Sequence, residues 1–321
     1  MSSKTNPYLI SICIPTFNRS DILYQNLPRL LSLQAFDHEV ELVISDNAST
    51  DNTKAAIEQL KAEFPDKNIS YYRNDENIRD RNFLLALSRG KGHYLKLLND
   101  YTSFSNDDLI YMKEKVRVHQ NDPDFCLFFF DKIKHIPKNT AEIEIRNVDE
   151  LVQVLSNKMT WISNFGCFNN QLDTLYQFQE RSKLMILQMM WILHLVSQAK
   201  RTLLVNITSY QGIRIKDKFR VPYNLFTPHV VNYYLILNEY VQRGLISPST
   251  IKKDKSKVLH DYVGAQIKNY LFAPQDKSFD LSGSWHIIWT HFRHIPYLYI
   301  LLMKGSFHYI QRKIRRLIAK L

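Results

Sequence analysis

The chain has 321 residues, of which 45% are hydrophobic and 12% aromatic, enough to bury a substantial core and outside the polar, aromatic-poor composition of disordered chains. Its formal charge of +11 admits nucleic acid, anionic lipid or an acidic substrate as partner, so the placement of the charge matters more than its sum. Cys13, Cys126 and Cys167 are odd in number, lie beside apolar residues and lack metal-ligand spacing, which excludes a disulfide framework and reads as buried thiols in a reducing compartment.

The amino terminus, MSSKTNPYLISICIP, carries no basic region, apolar core and cleavage site in series, so it is not read as a secretory signal. LISICIP is a β-branched run ending at Pro15 and predicts a strand; ILYQNLPRLLSL then spaces its apolar groups helically, with Pro28 expected to kink the helix. VELVISD predicts a second buried strand. STDNTKAAIEQLKAEF follows as a helix that Ser49, Thr50 or Asp51 caps, with Ala56, Ile57, Leu60 and Phe64 as its stripe. ISYYR predicts a third strand, NFLLALSRG a helix whose Gly90 suits a left-handed residue past its end, and GHYLKLLND a fourth strand ending in a carboxylate. This alternation predicts an α/β fold with a mostly parallel sheet and right-handed crossovers.

Ligands of such sheets bind outside the carboxyl ends of the strands. The residues there are Pro15, Thr16, Asn18 and Arg19 after the first strand, Asp46 and Asn47 after the second, Arg73 and Asn74 after the third, and Asn99 and Asp100 after the fourth. From 109 to about 210 the pattern is mixed, with strands at FCLFFFD and TLLVNITSY and a long apolar helix through SKLMILQMMWILHLVSQ, whose Lys183, Gln188, His194 and Gln198 interrupt it too often for a membrane span. The predicted division is one domain over residues 1–215, with halves 1–110 and 111–215, followed by a helical region over 216–321.

Residues 281–321 contain no Asp or Glu and seven Lys or Arg. In HYIQRKIRRLIAKL, Ile310, Ile314, Leu317, Ile318 and Leu321 form one stripe opposed by cations, a basic amphipathic helix that, with SWHIIWTHFRHIPYLYILLMK, suits the headgroup boundary of a membrane. The plainer alternative is that the stripe packs on the protein's own core. His286, His291 and His294 lack an acidic partner and read as structural. A nucleic-acid partner is disfavoured because the basic stripe is terminal and backed by Leu, Ile and Trp, while the strand ends carry Asp46 and Asp100. A dinucleotide-dependent oxidoreductase is disfavoured because no G-x-G-x-x-G follows the first strand.

SICIPTFNR, ELVISDNASTDNT, YRNDENIRDRNFLLAL and GHYLKLLND, in this order over about residues 8–110, resemble the family 2 glycosyltransferases of the GT-A fold, and among them the O-antigen and capsule sugar transferases of the abequosyltransferase-like group. The resemblance implies a nucleotide-diphospho-sugar transferase fold with a Rossmann-like sheet, a nucleotide-binding half in 1–110, an acceptor half in 111–215, and a nucleotide-sugar as co-substrate. It implies that Asp46 accepts hydrogen bonds from the donor's base or ribose, the alternative being a turn cap. Pro15, Thr16, Asn18, Arg19 and Asn47 would line the same pocket. Arg81 would pair with diphosphate oxygens, against a salt bridge to Asp80 or Glu76.

LLNDYTSF stands in the place of the family's metal-binding D-x-D, with Asn99 and Asp100 preceding Tyr101 where a second Asp belongs. Two readings stay open: Asp100 with waters holds Mg²⁺ or Mn²⁺, or cations such as Arg81 neutralise the leaving diphosphate. An inverting transfer needs a carboxylate base on the acceptor side. Gln188 stands near where an acidic pair is usual; Asp173 and Glu180 are the nearby alternatives, and Asp173 is the candidate, with a surface residue in QLDTLYQ as its alternative reading. The resemblance further implies a lipid-linked or oligosaccharide acceptor in bacterial surface polysaccharide (O-antigen, capsule or lipopolysaccharide) synthesis and a cytoplasmic protein on the inner face of the membrane. The competing reading is an inactive family member that acts as a scaffold.

Overall fold

A computed structural model describes residues 7–131, 133, 141–207, 210–213, 223–271 and 279–305. The chain divides into two compact units: Met1–Glu150 with Lys158–Ile215, and Leu151–Asn157 with Lys216–Leu321.

The first unit begins with the predicted alternation: β1 (Tyr8–Thr16), α1 (Ser20–Leu31), β2 (Val40–Asp46), α2 (Thr53–Glu63), β3 (Asn68–Arg73), α3 (Arg81–Ser88) and β4 (Gly92–Leu97). β5 (Thr102–Ser103), α4 (Asn106–His119), β6 (Phe125–Asp131), β7 (Glu142–Ile145), α5 (Val148–Leu155, assigned to the second unit from Leu151 on), β8 (Gly166–Phe168), α6 (Leu187–Gln198), β9 (Arg201–Ile207) and β10 (Gln211–Gly212) follow. A five-stranded sheet in the order β3-β2-β1-β4-β8 is parallel except for β8, which runs antiparallel to β4. This is the α/β class that the alternation predicts. The interior strands read as continuous apolar runs because helices cover both faces of such sheets, and every residue of β2 is buried. β6-β9-β7 form a second sheet, and β10 pairs with β5.

Three local expectations change. Gly90 has no positive φ; a Cβ there would lie 2.7 Å from the Leu95 side chain and 2.9 Å from Ser11, so close approach to β1 and β4 demands the glycine. Asn52 is the residue before α2, yet Asp51 does accept from the backbone and hydroxyl of Thr53, at 3.0 and 2.5 Å. The long apolar helix is broken: Asn169–Leu184 is 3₁₀ helix, Met185 sits at φ 60°, and only Leu187–Gln198 is α-helical. α1 runs through Pro28.

The second unit is helical, as predicted for this region: α7 (Tyr233–Gln242), α8 (Pro248–Val258), a continuation through wide turns and the short α9 (Gly264–Gln266), and α10 (Ser284–Phe292). Its core includes Tyr233, Leu237, Val258, Val263, Ile288 and Phe292. Asp254 is buried there and accepts from Ser156 at 2.5 Å and Tyr234 at 3.2 Å, while burial lifts its carboxyl to about 6. The three cysteines are buried free thiols. Among the described residues no helix is long and apolar enough to cross a membrane. The predicted amphipathic tail, 306–321, lies outside the described residues.

Candidate functional site

β1 lies between β2 and β4, so the chain leaves β1 toward one side of the sheet and returns on the other, opening the crevice where doubly wound folds bind ligands. Side chains from both strand ends meet there. Thr16 Oγ1 donates to Asp100 Oδ2 at 3.0 Å, and an Arg19 guanidinium N–H donates to Asp100 Oδ1 at 2.8 Å. Asn26 of α1 fixes the turn beneath by donating to the carbonyls of Asp100 at 3.0 Å and Thr102 at 2.8 Å. Asp100 is 3% exposed. Burial raises its carboxyl above the usual carboxylate range, and Arg19 and then Thr16 pull it back.

Asp46 pairs with Thr16 in the β1–β2 register and is buried. Its Oδ1 accepts the Ser49 N–H at 2.9 Å and its Oδ2 the Tyr71 hydroxyl at 2.6 Å, with Arg73 Nε at 4.0 Å. The turn-capping alternative is therefore part of what Asp46 does, although a carboxylate has lone pairs to accept more. Asn18, at φ 53°, joins the two loops: its N–H donates to Ser49 Oγ at 2.8 Å and its side-chain oxygen accepts the Thr50 N–H at 2.7 Å. Asn47 clasps a third loop. Its oxygen accepts from Asn74 Nδ2 at 3.1 Å and from the Ile78 N–H at 2.9 Å, and its nitrogen donates to Asn77 Oδ1 at 2.8 Å and to the Arg79 carbonyl at 3.3 Å.

Arg81 opens α3 directly after that loop, exposed, and makes no ion pair with Asp80 or Glu76. Burial lifts the neighbouring Asp80 carboxyl to about 6. Pro15 is buried within β1 opposite Ser45, and the Asn99 N–H donates to Ser163 Oγ at 2.9 Å. The structure thus gathers Thr16, Asn18, Arg19, Asp46, Asn47, Asn99 and Asp100 at the strand ends, with Arg81 beside the clasped loop.

The family described as glycosyl transferase family 2 matches residues 11–143, the span that holds these strand ends. Residues 11–143 are thus similar to that family. Abequosyltransferase RfbV of Salmonella typhimurium is 36% identical over 171 residues, covering 51% of this chain and 45% of that protein. The uncharacterized glycosyltransferase YfnE of Bacillus subtilis is 28% identical over 133 residues, covering 38% of this chain and 30% of that protein. The chain thus spans less than half the length of these curated relatives. Among solved structures, S. aureus TarS 1–349 is similar at 14% identity and a TM-score of 0.49, covering 82% of this chain and 72% of that one. The mannosyltransferase PcManGT of Pyrobaculum calidifontis, in complex with GDP-Man and Mn²⁺, is similar at 13% identity and a TM-score of 0.49, covering 94% and 81%.

The resemblance to that family implies a divalent cation at Asp100, but the donor set does not fit one. Both Asp100 oxygens are engaged, and the carboxylate is buried. A cation on Oδ1 would sit beside the Arg19 guanidinium, and at about 4 Å with an effective dielectric of about 20 a doubly charged ion repels a unit charge by about 8 kcal/mol. Tyr101 supplies a neutral phenol, which accepts from Trp161 Nε1 at 3.4 Å. Ser105 caps α4, and Asp107 and Asp108 belong to its first turn. Among the described residues no three His, Cys, Asp or Glu converge as a metal site.

Asp173 is not brought to these strand ends. It is exposed on the 3₁₀ helix Asn169–Leu184, which starts where Asn169 Nδ2 bonds the Gly92 carbonyl at 3.0 Å, at the amino end of β4. Asp100 follows the carboxyl end of that strand. Gln188 is buried and donates to the Thr160 carbonyl. The reading of motifs missed Asn26, which looks like a polar interruption of an apolar helix, and Tyr71, which looks like an ordinary strand aromatic. It also passed over Asp131. FCLFFFD repeats the apolar-strand-then-carboxylate pattern of VELVISD and LKLLND, and that signal was available. The Asp131 charge acts on Tyr210, whose hydroxyl is pushed well up by burial first and then by Asp131. Tyr210 stands edge-on to Trp161 at 4.7 Å, and Trp161 in turn reaches Tyr101.

Proposed function

We propose that this chain is an inverting glycosyltransferase that moves a sugar from a nucleoside-diphosphate sugar to a lipid-linked glycan of a bacterial surface polysaccharide. The observation that carries this reading is the convergence of Thr16, Arg19, Asp46 and Asp100 at the neighbouring carboxyl ends of β2, β1 and β4. Asp46 and the Asn18 loop receive the nucleoside, whose base and ribose present N–H and O–H donors. Arg19 and Arg81 face the diphosphate, which a planar guanidinium binds in bidentate fashion. In the transfer the anomeric carbon's bond to the diphosphate oxygen breaks, its electron pair leaving with the nucleoside diphosphate. The acceptor hydroxyl oxygen bonds to that carbon from the opposite face, and its proton passes to a carboxylate, for which we assign Asp131 in place of Asp173.

The protein works at the inner face of the cell membrane, held by its carboxyl region. Trp285, Trp289, Tyr299 and Met303 are 45%, 48%, 45% and 66% exposed, and Trp289 and Tyr299 rings lie 6.2 Å apart, so the apolar surface is continuous between the α10 helix and the helical residues 296–305. Aromatic rings and cations without acidic neighbours suit an anionic lipid surface. The test of the enzymatic reading is a thermal-shift series with UDP, GDP and CDP on the wild type and Asp46→Ala. One nucleotide raises the wild-type midpoint and leaves the variant's unchanged. Indifference of the wild type to all three would count against the reading and favour a non-catalytic scaffold.

A further inference from the structure

We propose that Arg19, held by Asp100, occupies the position of the family's divalent cation, so that the donor diphosphate is bound and neutralised by guanidinium groups and the protein needs no metal. This inference rests on the nucleotide-sugar reading above and deepens it. Its ground is the pairing of Asp100: one oxygen is committed to Arg19 at 2.8 Å and the other to Thr16 at 3.0 Å, with the carboxylate 3% exposed. A hard cation such as Mg²⁺ demands near-octahedral oxygen donors and keeps several waters, which a carboxylate buried against a guanidinium does not allow. The second carboxylate that would balance such an ion is absent from its place, where Tyr101 stands.

The Arg19 side chain is 22% exposed against 4% for that of Asp100, so the cation, not the carboxylate, is the member of the pair presented outward. Asp100 is then a positioning residue. It holds the guanidinium plane in place, and a planar guanidinium suits phosphate oxygens better than a point charge. Arg79 and Arg81, both exposed around the start of α3, add charge from the loop that Asn47 clasps. Together these groups supply what a doubly charged ion would otherwise bring to a diphosphate.

The test is equilibrium binding of UDP, GDP and CDP by calorimetry to the full chain, in EDTA, in Mg²⁺ and in Mn²⁺, for the wild type, Arg19→Lys and Arg19→Ala. For the wild type, the Kd of the preferred nucleotide changes less than threefold between EDTA and either metal. Arg19→Lys weakens it about tenfold and Arg19→Ala about a hundredfold in EDTA, and Mn²⁺ partly restores binding to Arg19→Ala because Asp100 is released. That restoration is a response a merely structural role for Arg19 would not give. A wild type whose nucleotide binding tightens tenfold or more with Mn²⁺ or Mg²⁺ overturns the inference and leaves the glycosyltransferase reading standing. Absence of binding in every medium overturns the nucleotide-sugar reading, and the inference with it.

Discussion

Replacing Asp100 with Asn separates what the carboxylate does for the fold from what it does for transfer. The amide keeps the shape of the side chain: its oxygen can still accept from Arg19, now without charge, and its nitrogen faces Thr16, whose hydroxyl turns from donor to acceptor. Trading two hydrogen bonds to a carboxylate for two to an amide, one of them still from the charged guanidinium, costs about 1 kcal/mol each. The substitution also removes a carboxylate whose burial raises its pKa, and that relief offsets much of the cost. The net change in stability is about 1 kcal/mol, a shift in Tm of a few degrees for a unit of roughly 200 residues. Transfer suffers far more, because Arg19 loses its anchor: misplacing one oriented charge-stabilising group costs about 3 to 4 kcal/mol at the transition state, a fall in kcat of about 10² to 10³. Product formation and urea unfolding on the same preparation decide the matter. Turnover within threefold of wild type in a folded Asp100→Asn protein would refute the reasoning, since it would place the chemistry elsewhere.

Asp131→Asn lowers kcat by about 10² or more while the nucleotide Kd from calorimetry stays within twofold, as expected of a group that takes the acceptor's proton without touching the donor. Asp254 titrates at about 6 in the folded protein against an ordinary 3.8, so the folded state holds the proton more tightly and stability falls as pH rises from about 4 to about 6, by at most about 3 kcal/mol. Asp254→Asn flattens that slope in urea titrations at pH 4 and 7, and an unchanged slope speaks against the assignment. Deleting residues 305–321, or replacing Trp285 and Trp289 together with Ala, lowers co-sedimentation with phosphatidylserine vesicles and spares turnover on a soluble acceptor; undiminished sedimentation of both variants rejects the membrane surface.

The amino-terminal strands were legible because an interior parallel strand is apolar on both faces and stops where its polar residues begin. LISICIP, VELVISD and LKLLND each end at a residue of the crevice. The partners of those residues were not legible, since they come from far along the chain. Lys96 in GHYLKLL reads as a solvent-facing position, yet it is fully buried, donates to the carbonyls of Ser163 and, at 3.1 Å, Phe165, and is held well below the usual lysine range by burial. No local pattern announces such a contact. The position of Asp173 was not legible for a related reason: periodicity in SKLMILQMMWILHLVSQ suggested one helix, and the left-handed Met185 that breaks it has no glycine or asparagine to mark it. Asp173 was judged by its neighbours in sequence, whereas the antiparallel return through β8 carries it to the opposite end of β4.

The clasp that Asn47 closes on the loop before α3 bears on how fast and how tightly an anion can be captured. Its amide is satisfied at both ends, twice as donor and twice as acceptor, so the segment carrying Arg79 and Arg81 is already immobilised before any phosphate arrives. Capture then sacrifices little main-chain freedom, and attraction between the guanidinium groups and the incoming charge appears almost undiminished as affinity.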